Sequence, residues 1–131
     1  MSTRRKFRFI REIARGGFGT VYLAEMITGD DFSTVVAVKL LHKQWSQHQE
    51  VVMRSRDEAR LLGRLRHRHI VRVEDLTSVQ GHCAVVMEYL EGVDLGTLQA
   101  WLQERGERFS PRMIVQVVAA VAAALEAAYT H

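Results

Sequence analysis

The first ninety residues alternate apolar and polar positions in a way that predicts β-strands. Residues 7–27 predict two strands on either side of a glycine-rich turn, and residues 35–41 predict a third strand. Residues 70–77 and 82–89 predict two more strands, joined by a turn at Gln80-Gly81. The pattern therefore predicts five strands, the first three of which form an antiparallel meander.

One helix is predicted within this strand-rich half, from about Gln49 to Leu65. Leu61, Leu62 and Leu65 are spaced so that they share one helical face with Glu58. We therefore expect this face to pack against the sheet.

Two further helices are predicted after residue 94. The first is a short amphipathic helix over residues 95–104, ended by Arg105-Gly106. Ser110-Pro111 opens the second, because serine caps helix N-termini and proline suits the first helical position. The second helix is apolar nearly all round, so we expect it to be buried on several sides. Gln116 and Glu126 interrupt its apolar stretch, which falls short of the ~20 apolar residues of a membrane span; we predict no membrane segment here.

Composition narrows the class of protein. The chain has 131 residues, of which 47% are hydrophobic and 25% charged, as in a soluble globular domain and unlike a disordered chain. The single Cys83 excludes an intramolecular disulfide, and no signal-peptide apolar run follows the basic start, so we predict a cytoplasmic protein.

The net charge of +3 comes from arginines spread over patterned segments, so we predict no nucleic-acid surface. Arginines around His67 and His69 repel cations, and we predict no metal site there.

Two charged residues occupy positions in apolar patterns. Lys39 lies within the strand sequence Val-Ala-Val-Lys-Leu-Leu, and Glu58 lies on the apolar face of the predicted helix. A buried charge requires a partner. The alternatives are that Lys39 protects an edge strand from aggregation, and that Glu58 pairs with Arg54 on the helix surface.

Five segments resemble the N-terminal half of a eukaryotic-type (Hanks-type) protein kinase domain, most of all that of bacterial serine/threonine kinases. They occur in the family's order and near its spacing: Gly-Gly-Phe-Gly-Thr-Val-Tyr-Leu-Ala at 16–24, Val-Ala-Val-Lys at 36–39, Glu-Ala-Arg-Leu-Leu at 58–62, His67 with Ile70-Val71, and Met-Glu-Tyr-Leu-Glu-Gly at 87–92. The resemblance implies an α+β fold. Residues 1–90 would form the kinase N-lobe, a five-stranded antiparallel sheet plus one helix, and residues 91–131 the hinge exit and the first two helices of the C-lobe.

The resemblance implies that the chain binds ATP phosphates. The glycine-rich loop would contain Gly16, Gly17, Phe18 and Gly19, with Phe18 at its tip, because backbone N–H groups approach phosphates most closely where no Cβ intervenes. Ala14 stands where the family has its first glycine, so we expect a less flexible loop or weaker affinity. The catalytic residues implied are Lys39, which would reach the α- and β-phosphates, and Glu58, which would pair with it.

The same resemblance implies an adenine pocket. Ile13, Val21 and Ala37 would cover the ring, and Met87 would be the gatekeeper at the back. The backbones of Glu88 and Leu90 would bond the adenine edge, and Asp94 would contact the ribose. Without the resemblance, these would be ordinary core residues.

A complete domain of this family transfers the γ-phosphoryl group of ATP to protein hydroxyls with the help of Mg²⁺. The aspartates and asparagine that the family uses for this step follow the long helix, so we predict that these 131 residues alone are inactive. The apolar helix would then be covered, over residues 112–129, by the missing C-lobe or by a partner chain. The alternative function is a catalytically inactive kinase-like module that binds nucleotide or a partner. A nucleic-acid binder that uses residues 54–72 is disfavoured.

Overall fold

The structure of the chain, a computed structural model, describes residues 5–130. These residues divide into two compact units, a sheet unit and a helical unit. The sheet unit contains the described residues up to Arg66 together with Val71–Tyr89, and the helical unit contains His67–Ile70 and the described residues from Leu90 onward. The elements are β1 (Lys6–Arg15), β2 (Gly19–Ile27), β3 (Ser33–Leu41), α1 (Lys43–Ser46), α2 (Gln49–Arg64), β4 (Val73–Val79), β5 (His82–Glu88), α3 (Leu95–Glu104) and α4 (Pro111–Tyr129).

All five predicted strands form one antiparallel sheet with the order β1-β2-β3-β5-β4. The predicted turn between β4 and β5 is confirmed, with Gln80 at φ 51° and Gly81 at φ 80°, the left-handed conformation that two-residue hairpins require. β4 begins three residues later than predicted because Ile70 lies in a turn, where its N–H donates to the His67 carbonyl.

The core of the sheet unit lies on one face of the central strands. Alternate residues of β2, β3 and β5 form a buried cluster of Ala24, Val36, Val38, Ala84 and Val86. Because side chains alternate between the two faces of a strand, Ala37 and Lys39 belong to the opposite face. That second face carries the predicted site.

The face that α2 turns toward the sheet differs from the prediction. Ala59 is only 4% exposed, whereas Leu61 is 45% exposed. Ser55, Ala59 and Leu62, spaced i, i+4 and i+7, line a pocket with residues of β3, β4 and β5. The prediction that Leu61 belongs to the helix face against the sheet is therefore wrong, because the small Ala59 takes the position nearest the sheet.

Both long helices of the helical unit begin at the predicted residues. The Asp94 Oδ1 atom accepts a hydrogen bond from the Thr97 N–H at 2.6 Å, and the Ser110 Oγ atom accepts one from the Met113 N–H at 3.1 Å. Each side chain thus satisfies a backbone donor that the helix itself leaves unpaired. α3 ends as predicted, with Gly106 at φ 69° beyond its last turn.

α4 exposes most of its apolar surface. None of its residues is buried, although its sequence predicts burial on several sides, because the described part of its unit contains only one other long helix, α3. Among the described residues it is the one helix long and apolar enough, by length and composition, to cross a membrane, a test that core helices of soluble proteins also pass. Its large exposed side chains are Ile114, Val115, Val118, Val121, Leu125 and Tyr129.

Candidate functional site

The second face of the sheet brings four of the predicted site residues together. Val21 lies directly opposite Lys39 in the β2–β3 ladder, and Ala37 lies directly opposite Met87 in the β3–β5 ladder. Directly opposed residues of antiparallel strands project from the same face. A lysine therefore stands beside three apolar side chains on this face.

Lys39 and Glu58 line one small pocket between the sheet and α2. The pocket has a volume of about 110 Å³, and Leu62, Val85 and Met87 are among its apolar walls. The two charged groups do not form an ion pair: of the salt bridges found among residues 5–130, none contains Lys39 or Glu58. The alternative Glu58–Arg54 pair is not formed either. The structure thus brings lysine and glutamate to the same pocket and leaves their charges unpaired.

The glycine-rich loop is a tight connection between β1 and β2. The Gly16 N–H donates to the Gly19 carbonyl at 2.9 Å. A Cβ atom on Gly19 would lie 2.5 Å from the Leu40 carbonyl oxygen, whereas a Cβ atom on Gly17 would meet nothing within 4 Å. Glycine is therefore required at 19 by the neighbouring strand, and at 17 there is open space next to the backbone.

The other two residues predicted on the β1 side are less enclosed. Ala14 lies opposite Val21, one pair before the end of the β1–β2 ladder. Ile13 falls at an irregularity of the register between Glu12 and Ala14, and its side chain is 40% exposed. A bulge of this kind turns a side chain out of the regular alternation, so Ile13 departs from the period-two pattern of β1.

Glu88, at the end of β5, is held by the residue that precedes β4. The Glu88 N–H donates to the Arg72 carbonyl at 3.0 Å, and the Glu88 Oε1 atom accepts from the Arg72 N–H at 2.9 Å. The Glu88 N–H is therefore engaged within the protein. Of its two backbone groups, the carbonyl is the one that it can offer to a ligand.

The last two predicted residues belong to the helical unit. Leu90 is 60% exposed. Asp94 caps α3, and the hydrogen bond from the Thr97 backbone N–H holds the pKa of its carboxyl group below the ordinary value. Asp94 is therefore a carboxylate at neutral pH, whatever else it binds.

A contact between the glycine-rich loop and α1 was not predicted from the sequence. The Trp45 Nε1 atom donates to the Gly17 carbonyl at 3.1 Å, and the Trp45 ring lies 5.0 Å from the Phe18 ring, centre to centre. The Phe18 ring thus rests against an aromatic partner. The signal available in the sequence was a tryptophan in the otherwise polar segment after β3.

Known proteins share both the sequence and the fold of this chain. Residues 7–129 match the family model for protein tyrosine and serine/threonine kinases. The chain is 34% identical to the serine/threonine-protein kinase Pkn1 of Myxococcus xanthus over 125 residues, which are 95% of this chain and 17% of that protein. It is also 34% identical to the tyrosine-protein kinase MasK of the same species over 67% of this chain and 14% of that protein.

Solved structures that superimpose on this chain are also protein kinase domains. A crystal structure of the PknI kinase domain of Mycobacterium tuberculosis superimposes with a TM-score of 0.76 and 26% identity, over 95% of this chain and 47% of that domain. The five-stranded antiparallel sheet and its helices match the N-lobe fold of these kinase domains. The chain spans about half the length of the solved domains and a smaller share of the relatives. It belongs to the protein tyrosine and serine/threonine kinase family.

Proposed function

We propose that this chain forms the ATP-binding part of a serine/threonine protein kinase, which transfers the γ-phosphoryl group of ATP to protein hydroxyls when the domain is complete. The observation that carries the proposal is the position of Lys39, which stands among Val21, Ala37 and Met87 and shares a pocket with Glu58. A mobile ammonium group on a rigid strand suits the binding of phosphate oxygens. The choice of serine and threonine over tyrosine rests on relatives such as Pkn1.

The residues present fit the phosphates of ATP. The Gly17 backbone has no heavy atom around its missing side chain, so a phosphate can approach it closely. We propose that the loop of Gly16, Gly17, Phe18 and Gly19 and the Lys39 ammonium group bind these phosphates. Glu58 would orient the ammonium group once α2 brings the two charges into contact, since the position of this helix is regulated in the family.

We propose that adenine binds over the apolar face formed by Val21, Ala37 and Met87, with Ile13 as a further cover. Glu88 would supply its backbone carbonyl, because its N–H is already bonded to Arg72. By the same resemblance, the Leu90 backbone is the proposed second partner of the adenine edge, and the Asp94 carboxylate the proposed partner of the ribose.

We propose that these 131 residues alone do not catalyse phosphoryl transfer. Mg²⁺ would supply charge stabilisation in the complete domain, but the aspartates of this chain have other surroundings. They lie in the β2–β3 turn, in ion pairs or in a helix cap: Asp30 and Asp31 in the turn, Asp57 with Arg60, Asp75 with Arg5, and Asp94 at α3. No residue of the chain is proposed as a metal ligand or a catalytic base.

The second candidate function is a kinase-like binding module without catalysis, and the exposed apolar surface of α4 favours it. In either case we propose that the C-lobe or a partner chain covers residues 112–129. A stable complex between this chain and a partner protein would support the binding module, provided that changing both Val118 and Val121 to glutamine abolishes the complex. The cytoplasmic location stays a prediction.

Calorimetric titration of the full chain with ATP tests the proposed site. We expect saturable binding, and binding weakened about 10- to 100-fold by Lys39→Met, the loss expected for hydrogen bonds to a charged group. Lys6→Met removes an equal charge from the exposed start of β1 and is the matched control. Absence of saturable ATP binding to the wild-type chain would contradict the proposal.

A phosphotransfer assay with a generic protein substrate tests the proposed inactivity. We expect no incorporation of phosphate by the full chain. Incorporation that Lys39→Met abolishes and Lys6→Met leaves intact would show that the chain is an active kinase.

A further inference from the structure

The tip of the glycine-rich loop is held by the segment that follows β3. The indole N–H of Trp45 donates to the Gly17 carbonyl at 3.1 Å, and the backbone N–H of His42 donates to the Phe18 carbonyl at 2.8 Å. The Trp45 and Phe18 rings are in contact at 5.0 Å between centres. Two consecutive carbonyl groups of the loop are therefore fixed by one neighbouring segment.

Fixing these carbonyls also fixes two backbone donors. In a planar trans peptide, the C=O and N–H groups point in opposite directions, and no cis peptide occurs among residues 5–130. The Phe18 N–H must therefore point away from the Trp45 indole, and the Gly19 N–H away from the His42 backbone. Donors directed away from their own protein support can serve an anionic ligand.

The segment that carries Trp45 is itself held in place by hydrogen bonds. The Ser46 hydroxyl donates to the Leu41 carbonyl at 3.1 Å, which ties α1 to the end of β3. The His42 ring is hydrogen-bonded to the Thr20 hydroxyl at 3.0 Å, and Thr20 is buried in β2. The segment that carries Trp45 is thereby tied to β3 and to β2, the strand that follows the loop, so Trp45 holds the loop tip from a rigid support.

We propose that Trp45 is a positioning residue for the glycine-rich loop, and that it keeps the Phe18 and Gly19 N–H groups directed at the phosphates of the bound nucleotide. The inference rests on the proposed ATP site and deepens it. Trp45 touches the loop rather than the nucleotide, so its effect depends on the phosphates of the ligand. A ligand without phosphates should not sense it.

The test compares the affinities of ATP and adenosine for the full chain and two variants. Trp45→Phe keeps an aromatic ring against Phe18 and removes the indole donor. We expect it to bind ATP about three- to tenfold more weakly, the range for one lost hydrogen bond, and to bind adenosine as the wild type does. Trp101→Phe is the matched control, because Trp101 is the other tryptophan of the chain and lies on α3, where its ring contacts the guanidinium of Arg105 just beyond the helix. Both affinities should stay unchanged.

The outcomes separate this inference from the proposed function. If the wild type binds neither ligand, the proposed nucleotide site is wrong and the positioning role falls with it. If the wild type binds ATP and Trp45→Phe binds it equally well or more tightly, only the positioning role is overturned. Equal weakening of ATP and adenosine would show a purely structural role and would also overturn it.

A second measurement on the wild-type chain does not depend on the folding of the variant. In nitrogen–proton NMR spectra, we expect ATP to shift the backbone amide signals of Phe18 and Gly19, while the indole N–H of Trp45 stays protected from hydrogen exchange. Loss of that protection on ATP binding would show that the contact breaks when the nucleotide enters, which is the opposite of the proposed role.

Discussion

Replacement of Gly19 by alanine should destabilise the sheet unit, although alanine is the smallest possible change. The added Cβ atom would lie 2.5 Å from the Leu40 carbonyl oxygen, 3.2 Å from the Leu40 carbonyl carbon and 3.3 Å from the Leu41 Cα atom. All three neighbours are backbone atoms of β3, so no side chain can rotate away. The oxygen contact must lengthen by at least 0.5 Å to reach 3.0 Å, the lower limit of real Cβ contacts.

The cost follows from the paired strands. Gly19 lies opposite Leu41 at the start of a continuous β2–β3 ladder, so the strands can separate only by straining that ladder. Overpacking of this kind costs about 1–3 kcal/mol. For a domain of this size, the melting temperature should fall by about 4–12 °C.

Gly17→Ala is the matched control, two residues away in the same loop. Its Cβ atom would meet nothing within 4 Å, and Gly17 is not among the glycines with positive φ. The same substitution should therefore be neutral or stabilise by about 0.4–1 kcal/mol. Thermal melting followed by circular dichroism measures both variants. A Gly19→Ala variant that melts within about 1 °C of the wild type would contradict the predicted backbone clash. So would a Gly17→Ala variant that loses as much stability as Gly19→Ala.

Three further predictions concern the core, a helix cap and acid stability. Val38→Ala, at a fully buried position of β3, should lower the free energy of unfolding by about 2–3 kcal/mol. Val35→Ala, at a position of the same strand that is 51% exposed, should change it by less than about 0.5 kcal/mol. Equal losses in the two variants, measured by urea denaturation, would contradict the assignment of Val38 to the core. Ser110→Ala should lower the stability of the first turn of α4 by about 1 kcal/mol, seen as faster amide exchange there, and unchanged exchange would show that the cap contributes nothing. The hydrogen bond and charge of Arg8 hold the pKa of Glu25 below its ordinary value, so this ion pair stabilises the fold above the ordinary carboxyl pKa and loses its effect as the pH falls through the lowered value. In Arg8→Ala, NMR titration should show the Glu25 pKa moved upward, and an unchanged pKa would exclude Arg8 as the cause.

Local patterns in the sequence were sufficient for most of the secondary structure. Period-two alternation placed the five strands, and the pairs Ser110-Pro111 and Arg105-Gly106 marked helix ends correctly. Such signals work because capping and strand alternation depend on residues within a few positions of each other. Lys39 was recognisable for the same reason, as a charge in an apolar strand.

The parts of the candidate site that the sequence did not predict depend on contacts between distant segments. The rotation of α2 that buries Ala59 and exposes Leu61 depends on the shape of the sheet beneath the helix, which no helical period contains. Whether Glu58 touches Lys39 depends on the same packing, and in this structure they share a pocket without pairing.

The sequence by itself determined the strands, the helix ends, the family and the residue types of the proposed nucleotide site. Only the tertiary structure decided that Gly19 has no room for a side chain and that the Glu88 N–H is already bonded to the Arg72 carbonyl. It also decided that Trp45 contacts the loop at Gly17, 28 residues earlier. The physical reason is the distance along the chain over which each kind of interaction acts. Periodicity and capping are set by neighbours along the chain, whereas steric exclusion and hydrogen bonding between strands arise only when the folded chain brings remote backbones into contact.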